Sequence, residues 1–256
     1  LGISAFASQV LALFRDRLLA GAFGANLPLD IYYAAFRVPD LIYVSIASFV
    51  SVTVLIPFII QKSNPNQKEE LKKFLNGVFT LFCLVMIILS AILFILMPKI
   101  IPLIAPGFSG DSAATLLVLS RILLLSPFLL GLSNLLSSVT QAFNRFLAYT
   151  LSPIFYNIGI ILGIIFLLPR FGLVGIAWGV VLGALLHALI QLPGVYKAGL
   201  SLKPVIDLPW REIKEVVLVS LPRTITLSSH QLSILILVAL GSILAEGSIS
   251  VFNFAF

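Results

Sequence analysis

Long apolar segments, each ended by a short polar stretch, recur along this whole sequence. A helix needs about 20 mostly apolar residues to cross the hydrocarbon core of a bilayer. Segments of this kind can be counted seven times, and an eighth begins near the end of the chain: 1–24, 30–60, 74–97, 113–140, 150–169, 173–195, 216–241 and 247 onward. The pattern predicts an all-α fold that crosses a membrane repeatedly.

Composition supports a lipid-facing chain and excludes several other classes. Of the 256 residues, 60% are hydrophobic and only 10% are charged, whereas a soluble domain carries about 25% charged residues. Cys83 is the only cysteine, and His187 and His230 stand far apart, so neither a disulfide nor a metal cluster is expected. The sequence shows no catalytic arrangement of carboxylates, nucleophiles or phosphate-binding glycines, which predicts a protein that is not an enzyme.

The basic residues that give the net charge of +6 fall mainly in loops. The loops after segments 2, 4 and 6 contain Lys62, Lys68, Lys72, Lys73, Arg145, Lys197, Lys203, Arg211 and Lys214. The loops after segments 3 and 5 contain only Lys99 and Arg170. By the positive-inside rule, the first group and the N-terminus are predicted to be cytoplasmic. The charge therefore predicts orientation in a membrane and not a nucleic-acid partner.

A few charges interrupt the apolar segments, where each costs at least about 2.5 kcal/mol unless it is paired or hydrated. Arg15 lies deeper in segment 1 than a loop residue would, and we predict that it faces a cavity. Asp16 and Arg17 are predicted to be interfacial, with Asp16 pairing to a neighbouring arginine. Other charges lie at Asp30, Arg37, Asp40, Arg121 and Arg223. Arg37 and Asp40 are spaced as a helical pair, and Arg223 is either interfacial or cavity-facing.

Arginine binds phosphate or carboxylate in a bidentate manner and stays charged at any relevant pH. A cavity with more arginines than acids would attract an anionic headgroup such as a pyrophosphate. Prolines inside the segments are expected to interrupt the helices or line such a cavity. They are Pro39, Pro57, Pro127, Pro153 and Pro222.

Residues 20–36 resemble residues 240–256: both close one segment, turn over small residues and open the next segment with aromatics before Ala-Phe. Segments 1–2 and 7–8 thus look like equivalent parts of two repeats of six helices each. Repeats with an even number of spans run the same way through the membrane, and a substrate site is expected between them.

Many short motifs, in order, resemble the MurJ/MviN family of lipid II flippases within the multidrug/oligosaccharidyl-lipid/polysaccharide exporter superfamily. They are SQVLALFRD (8–16), FGA (23–25), Asp30, AFRVPDL (35–41), APGF (105–108), SPIFYNIGII (152–161), GIAWGVVLG (175–183), QLP (191–193), LP (221–222), Gln231 and GSIS (247–250). The resemblance covers nearly the whole chain.

The resemblance implies a two-lobe exporter in the bacterial cytoplasmic membrane that moves lipid-linked peptidoglycan precursor by alternating access. Residues 1–200 would form the first lobe, 201–215 a cytoplasmic linker, and 216–256 the first helices of a truncated second lobe. Because both ends of the sequence lie within apolar patterns, we expect a piece of a longer protein. The resemblance implies a polyprenyl-pyrophosphate-linked glycan as the partner, together with membrane lipids, and no cofactor other than an unidentified coupling ion.

The resemblance also implies functional positions at Arg15 and Asp30, and Arg37 and Arg223 are predicted to join them in binding the anion. Gln9 and Tyr43 stand where the family usually has arginine. These departures leave alternatives open: a flippase for another polyprenyl-linked glycan, a drug or ion antiporter of the same superfamily, or a non-transporting scaffold for cell-wall synthesis proteins.

Overall fold

The computed structural model describes residues 2–47 and 49–255, and within them it contains helices and no strand. The helices are α1 (Gly2–Phe23), α2 (Leu27–Ala35), α3 (Arg37–Ala47), α4 (Val52–Gln61), α5 (Lys68–Ile104), α6 (Asp111–Leu123), α7 (Leu125–Ala142), α8 (Phe146–Leu162), α9 (Leu168–Phe171), α10 (Leu173–Leu189), α11 (Leu192–Lys197), α12 (Trp210–Gly241) and α13 (Ser248–Ala255). A 3₁₀ turn (Pro65–Gln67) precedes α5, and a π-helical turn (Gly163–Leu167) joins α8 to α9.

Six helical stretches of the described residues are long and apolar enough to cross a membrane: Leu27–Gln61, Lys68–Ile104, Asp111–Ala142, Phe146–Phe171, Leu173–Lys197 and Trp210–Gly241. They match the second to seventh predicted segments, which confirms the predicted fold class. The first predicted segment is the 22-residue helix α1, which carries three charges close together. The eighth begins as α13, and Phe256 lies outside the described residues.

Segment 2 was predicted as one run, but the structure divides it into α2, α3 and α4. Pro39 lies in the first turn of α3, where its missing N–H and fixed φ are tolerated. Pro127 has the same place in α7, just after the turn at Leu124 that separates α6 from α7. The other three prolines that we expected to interrupt helices, Pro57, Pro153 and Pro222, remain inside α4, α8 and α12.

Glycines bring α8 and α10 into backbone contact, and this is the most extensive helix pairing in the described residues. A Cβ added at Gly159 would overlap the backbone of Gly183, and one added at Gly163 would overlap that of Gly179. Small residues at four-residue spacing permit such close approach between membrane helices. The motifs around 159 and 183 thus fix the spacing of two helices behind α1, which packs on α8.

The segment between α11 and α12 is attached to the beginning of α5. Lys73 of α5 forms an ion pair with Asp207 at 2.5 Å, and Lys62, just after α4, forms one with Glu212 of α12 at 2.9 Å. The backbone N–H of Lys203 donates to the side chain of Asn76 at 2.9 Å. These contacts lie at the end of the molecule that the positive-inside rule predicts to be cytoplasmic.

At the other end of α5, three connecting segments meet. The backbone N–H of Gly107 donates to Ser242 Oγ at 3.1 Å, which joins the α5–α6 connection to the α12–α13 connection. A Cβ at Gly247, whose φ is +90°, would overlap the backbone of Ala25 in the α1–α2 connection. The turn after α12 is therefore packed against the turn after α1, and α13 packs on α2.

Candidate functional site

A cleft of about 230 Å³ lies between α1, α2, α3, α8 and α13. Its lining combines charged, aromatic and amide side chains within an otherwise apolar bundle: Arg15, Asp16, Leu19, Tyr32, Tyr33, Phe36, Arg37, Asp40, Tyr156, Ile160 and Asn253. Two of the four predicted site residues, Arg15 and Arg37, are brought together here. Asp30 and Arg223 are not among the lining residues.

Arg15 is held by partners on all three nitrogens of its guanidinium group. Its Nε donates to Asp16 Oδ1 at 2.9 Å, and Nη2 lies 2.8 Å from the same oxygen. Its Nη1 donates at 3.0 Å to Oδ1 of Asn157, which lies on α8. Asn157 in turn donates to the carbonyl of Pro153, four residues earlier, at 3.0 Å. The apolar helix α1 thus presents an oriented, paired guanidinium to the cleft.

Arg37 connects the first turn of α3 with α13. Its Nε donates to the Tyr33 carbonyl at 3.1 Å, and Nη2 donates to Asn253 Oδ1 at 2.6 Å. The side chain is buried. Arg37 and Asp40 attract each other electrostatically, as their helical spacing indicated, although no nitrogen of Arg37 lies within 4.0 Å of an Asp40 oxygen among the described residues. The burial of Arg37 instead depends on polar contacts that reach α13.

The formal charges lining the cleft cancel. Asp16 and Asp40 match Arg15 and Arg37, whereas the sequence predicted more arginines than acids. Neutralisation lowers the cost of holding two guanidinium groups at membrane depth. Asp16 was predicted to pair with a neighbouring arginine, and it does so with Arg15. Asp40 interacts electrostatically with Arg37 without an ion-pair contact within 4.0 Å in the part of the chain that the structure describes.

Asp30 is buried and spans the contact between α2 and the start of α13. Its Oδ2 accepts the backbone N–H of Gly247 at 2.6 Å, and its Oδ1 accepts the backbone N–H and the hydroxyl of Ser250 at 2.7 and 2.6 Å. A carboxylate placed on the first turn of a helix satisfies N–H groups that the helix leaves unpaired. The position predicted for anion binding therefore holds two helices together in this conformation.

The contact between Asp30 and Ser250 joins equivalent positions of the two similar segments, since 20–36 aligned with 240–256 places 30 opposite 250. Contacts between equivalent positions are expected where a two-fold axis passes between repeats. The two repeats stay a prediction, and Phe256, the last residue of the second similar segment, lies outside the described residues.

Arg223 lies on an exposed face of α12, and its Nη1 donates to Thr53 Oγ1 of α4. The two family departures also lie away from the cleft lining. Gln9 is exposed on α1, and the Tyr43 hydroxyl accepts a hydrogen bond from Asn134 of α7 at 3.2 Å. Tyr43 thus joins α3 to α7 through a hydrogen bond.

Sequence reasoning missed the amides Asn157 and Asn253 as partners of the arginines. One signal was available for each: both are polar residues inside apolar helices, where an unpaired amide would be costly. Asn157 also lies within the SPIFYNIGII motif. Their partners lie 142 and 216 residues away along the chain, so the pairing itself had no local signature.

The family model described as "Lipid II flippase MurJ" matches residues 19–256, which includes most of the cleft. The chain belongs to the MurJ family. Two relatives in the family align over nearly all of this chain. A probable lipid II flippase MurJ of Buchnera aphidicola subsp. Acyrthosiphon pisum is 28% identical over 249 residues, which are 95% of this chain and 48% of the relative. The lipid II flippase MurJ of Burkholderia cenocepacia is 27% identical over 97% of this chain and 50% of the relative.

A solved structure of a lipid II flippase MurJ in an inward closed conformation superimposes with a TM-score of 0.81 at 25% identity, covering 99% of this chain and 53% of that one. A multidrug resistance transporter of the MATE family in an inward-facing conformation shares the fold, with a TM-score of 0.68 at 20% identity over 96% of this chain and 57% of that one. The chain spans about half the length of the MurJ relatives that it matches.

Proposed function

We propose that this chain provides the first lobe, residues 1–200, of a flippase that moves lipid II across the bacterial cytoplasmic membrane by alternating access. Residues 201–215 would link it, on the cytoplasmic side, to a second lobe that begins at 216–256. Membership of the MurJ family supports flippase activity. The observation that carries the residue assignment is the oriented guanidinium of Arg15 in a cleft within the apolar bundle.

In this proposal, Arg15 and Arg37 bind the pyrophosphate of the substrate. A pyrophosphate offers several oxygens and more negative charge than one carboxylate, so it competes with Asp16 for the Nε and Nη2 groups of Arg15. Asn157 keeps the guanidinium in place through Nη1 during this exchange. Asp16 thus neutralises Arg15 when no anion is bound, and binding replaces one ionic partner with another.

Arg37 supplies the second contact because it lines the same cleft as Arg15. Its own hydrogen-bond partner, Asn253, lies on α13. An anion bound by both arginines would touch α1 and α3 and would lie beside Asn253 of α13, in the second lobe. Its binding energy can then differ between conformations in which α13 lies close to or away from α2. Such differential binding is what couples a ligand to a conformational equilibrium.

Complementation of a strain depleted of its own lipid II flippase tests the proposal, with the complete open reading frame that encodes this chain. We expect the wild type to restore growth and Arg15→Ala to lower export by about tenfold or more, because a charge-assisted contact contributes about 1.5–3 kcal/mol. Arg15→Lys should lie between the two, since lysine keeps the charge and loses the planar donor pair. Export of the precursor is measured by labelling it at the outer surface.

Arg17→Ala is the matched control, because Arg17 is exposed on the same helix and does not line the cleft. Equal export by Arg15→Ala and Arg17→Ala would refute the role of Arg15. Failure of the well-expressed wild type to rescue would refute lipid II as the substrate. If that wild type still bound other polyprenyl-pyrophosphate glycans in an Arg15-dependent way, a flippase for another glycan would replace the proposal.

A further inference from the structure

An open apolar groove of about 770 Å³ runs between α5, α6, α7 and α10 and shares no lining residue with the candidate site. Its walls include Met86, Ile87, Phe94, Ile95, Phe128 and Trp178. Ile95 and Trp178 are 72% and 47% exposed, so the groove opens to the surroundings of the bundle. In a membrane, the groove faces lipid.

One cation, Arg121 of α6, lines this apolar groove. Its Nε donates to the Phe94 carbonyl at 3.1 Å. That carbonyl is available because Pro98, four residues later in α5, has no N–H to donate to it. The guanidinium carbon also lies 4.4 Å from the centroid of the Phe94 ring. These contacts satisfy the Nε donor and fix the orientation of the guanidinium plane.

The remaining donors of Arg121 lack a protein partner in the described part of the chain. Neither Nη group forms a hydrogen bond or an ion pair there. Ser90, which lines the same groove, has a buried hydroxyl that also lacks a partner among the described residues. The groove therefore combines apolar walls with donors that lack a partner among the described residues. Such an arrangement is costly for a lipid-facing charge unless a counter-ion binds it.

In a membrane whose surface lies at Lys99, Arg121 would lie near the level of the lipid phosphates and glycerol groups. Its contact residue Phe94 is five positions before Lys99, which corresponds to about 7.5 Å along α5. Arginine side chains on a helix point toward its N-terminus, and α6 begins at the same end as Lys99. Trp178 lies in the second turn of α10, and tryptophan is enriched at membrane interfaces.

We propose that this groove binds an anionic phospholipid, with its phosphate on the Nη groups of Arg121 and an acyl chain along the apolar walls. Charge complementarity selects this occupant, because the guanidinium forms paired hydrogen bonds with a phosphate and gains a counter-ion. The positive-inside rule places the lipid in the outer leaflet. The site is lateral to the transport pathway and independent of the proposed substrate.

Native mass spectrometry of the complete, delipidated protein with added phosphatidylglycerol or phosphatidylcholine of identical acyl chains tests the proposal. We expect the wild type to retain phosphatidylglycerol about fivefold better, since one arginine near the headgroups contributes about 1 kcal/mol toward anionic lipid. Arg121→Gln should abolish this preference. Lys99→Gln, which changes an exposed cation outside the groove lining, should keep it.

Ala91→Trp keeps Arg121 and fills the groove, because Ala91 is an exposed lining residue. It should lower the retention of both lipids, and it decides the matter if Arg121→Gln does not fold. An unchanged phosphatidylglycerol preference in folded Arg121→Gln, or unchanged retention of both lipids in folded Ala91→Trp, would overturn the proposal. So would equal retention of the two lipids by the wild type, or a protein dimer that Ala91→Trp dissociates, since a second copy would then occupy the groove.

Discussion

Replacing Asp30 with alanine should lower the free energy of unfolding by about 3 kcal/mol or more, which is the largest effect expected of any single charged side chain here. The carboxylate is only 2% exposed and accepts bonds from two backbone N–H groups and one hydroxyl. Without it, these buried donors lose their partner and α13 loses its attachment to α2. Reversible denaturation of the complete protein in mixed micelles measures the change.

Two variants calibrate that result. Ser250→Ala removes one of the three bonds and should cost about 1 kcal/mol. Asp111→Ala removes an exposed aspartate from the first turn of α6 and should change stability by less than about 1 kcal/mol. If Asp30→Ala were no more destabilising than Ser250→Ala, the carboxylate would not be holding the two helices together.

Substituting Gly183 with leucine is expected to prevent accumulation of folded protein. A Cβ at this position would overlap the carbonyl oxygen of Tyr156, and backbone atoms cannot move aside by changing rotamer. Separating α8 from α10 would also remove the contact between Gly163 and Gly179. Overpacking typically costs about 1–3 kcal/mol, and more where backbone atoms have to separate, as here. The measurement is the yield of monodisperse protein in detergent and its thermal unfolding midpoint.

Gly21→Ala is the matched control because a Cβ at Gly21 meets nothing within 4 Å. Gly21 lies inside helix α1, where alanine is favoured over glycine by about 1 kcal/mol. The yield should therefore be unchanged or slightly higher. Similar losses from Gly21→Ala and Gly183→Leu would show that general intolerance of substitution, and not helix spacing, limits folding.

The spans could be predicted from sequence because lipid contact requires long apolar runs, and such runs are local. The effect of each proline depended on its place in a turn. Pro39 and Pro127 lie in the first turn of a new helix, whereas Pro57 lies inside one, and hydropathy does not distinguish the two cases. The breaks within segment 2 were therefore not predictable from its apolar character.

The site was predictable in part, because Arg15 and Arg37 are charged residues inside apolar segments and must be paired or hydrated there. Their partners were not predictable, because Asn253 reaches Arg37 across 216 residues of chain. Asp30 shows the same limit: its charge was visible in the sequence, but the backbone donors that it satisfies belong to a turn 217 residues away. The balance of charge in the cleft likewise depended on which acids turned inward.

The two ends of the bundle should respond differently to ionic strength. Lys73 and Asp207 join the α11–α12 connection to α5 through side chains that are 56% and 82% exposed. At 1 M salt the Debye length falls to about 3 Å, so this attraction is largely screened. The contacts of Asp30 at the other end are buried and are screened far less. Concentrated salt should thus weaken the attachment of the α11–α12 connection to α5 while leaving the contacts of Asp30 largely unchanged.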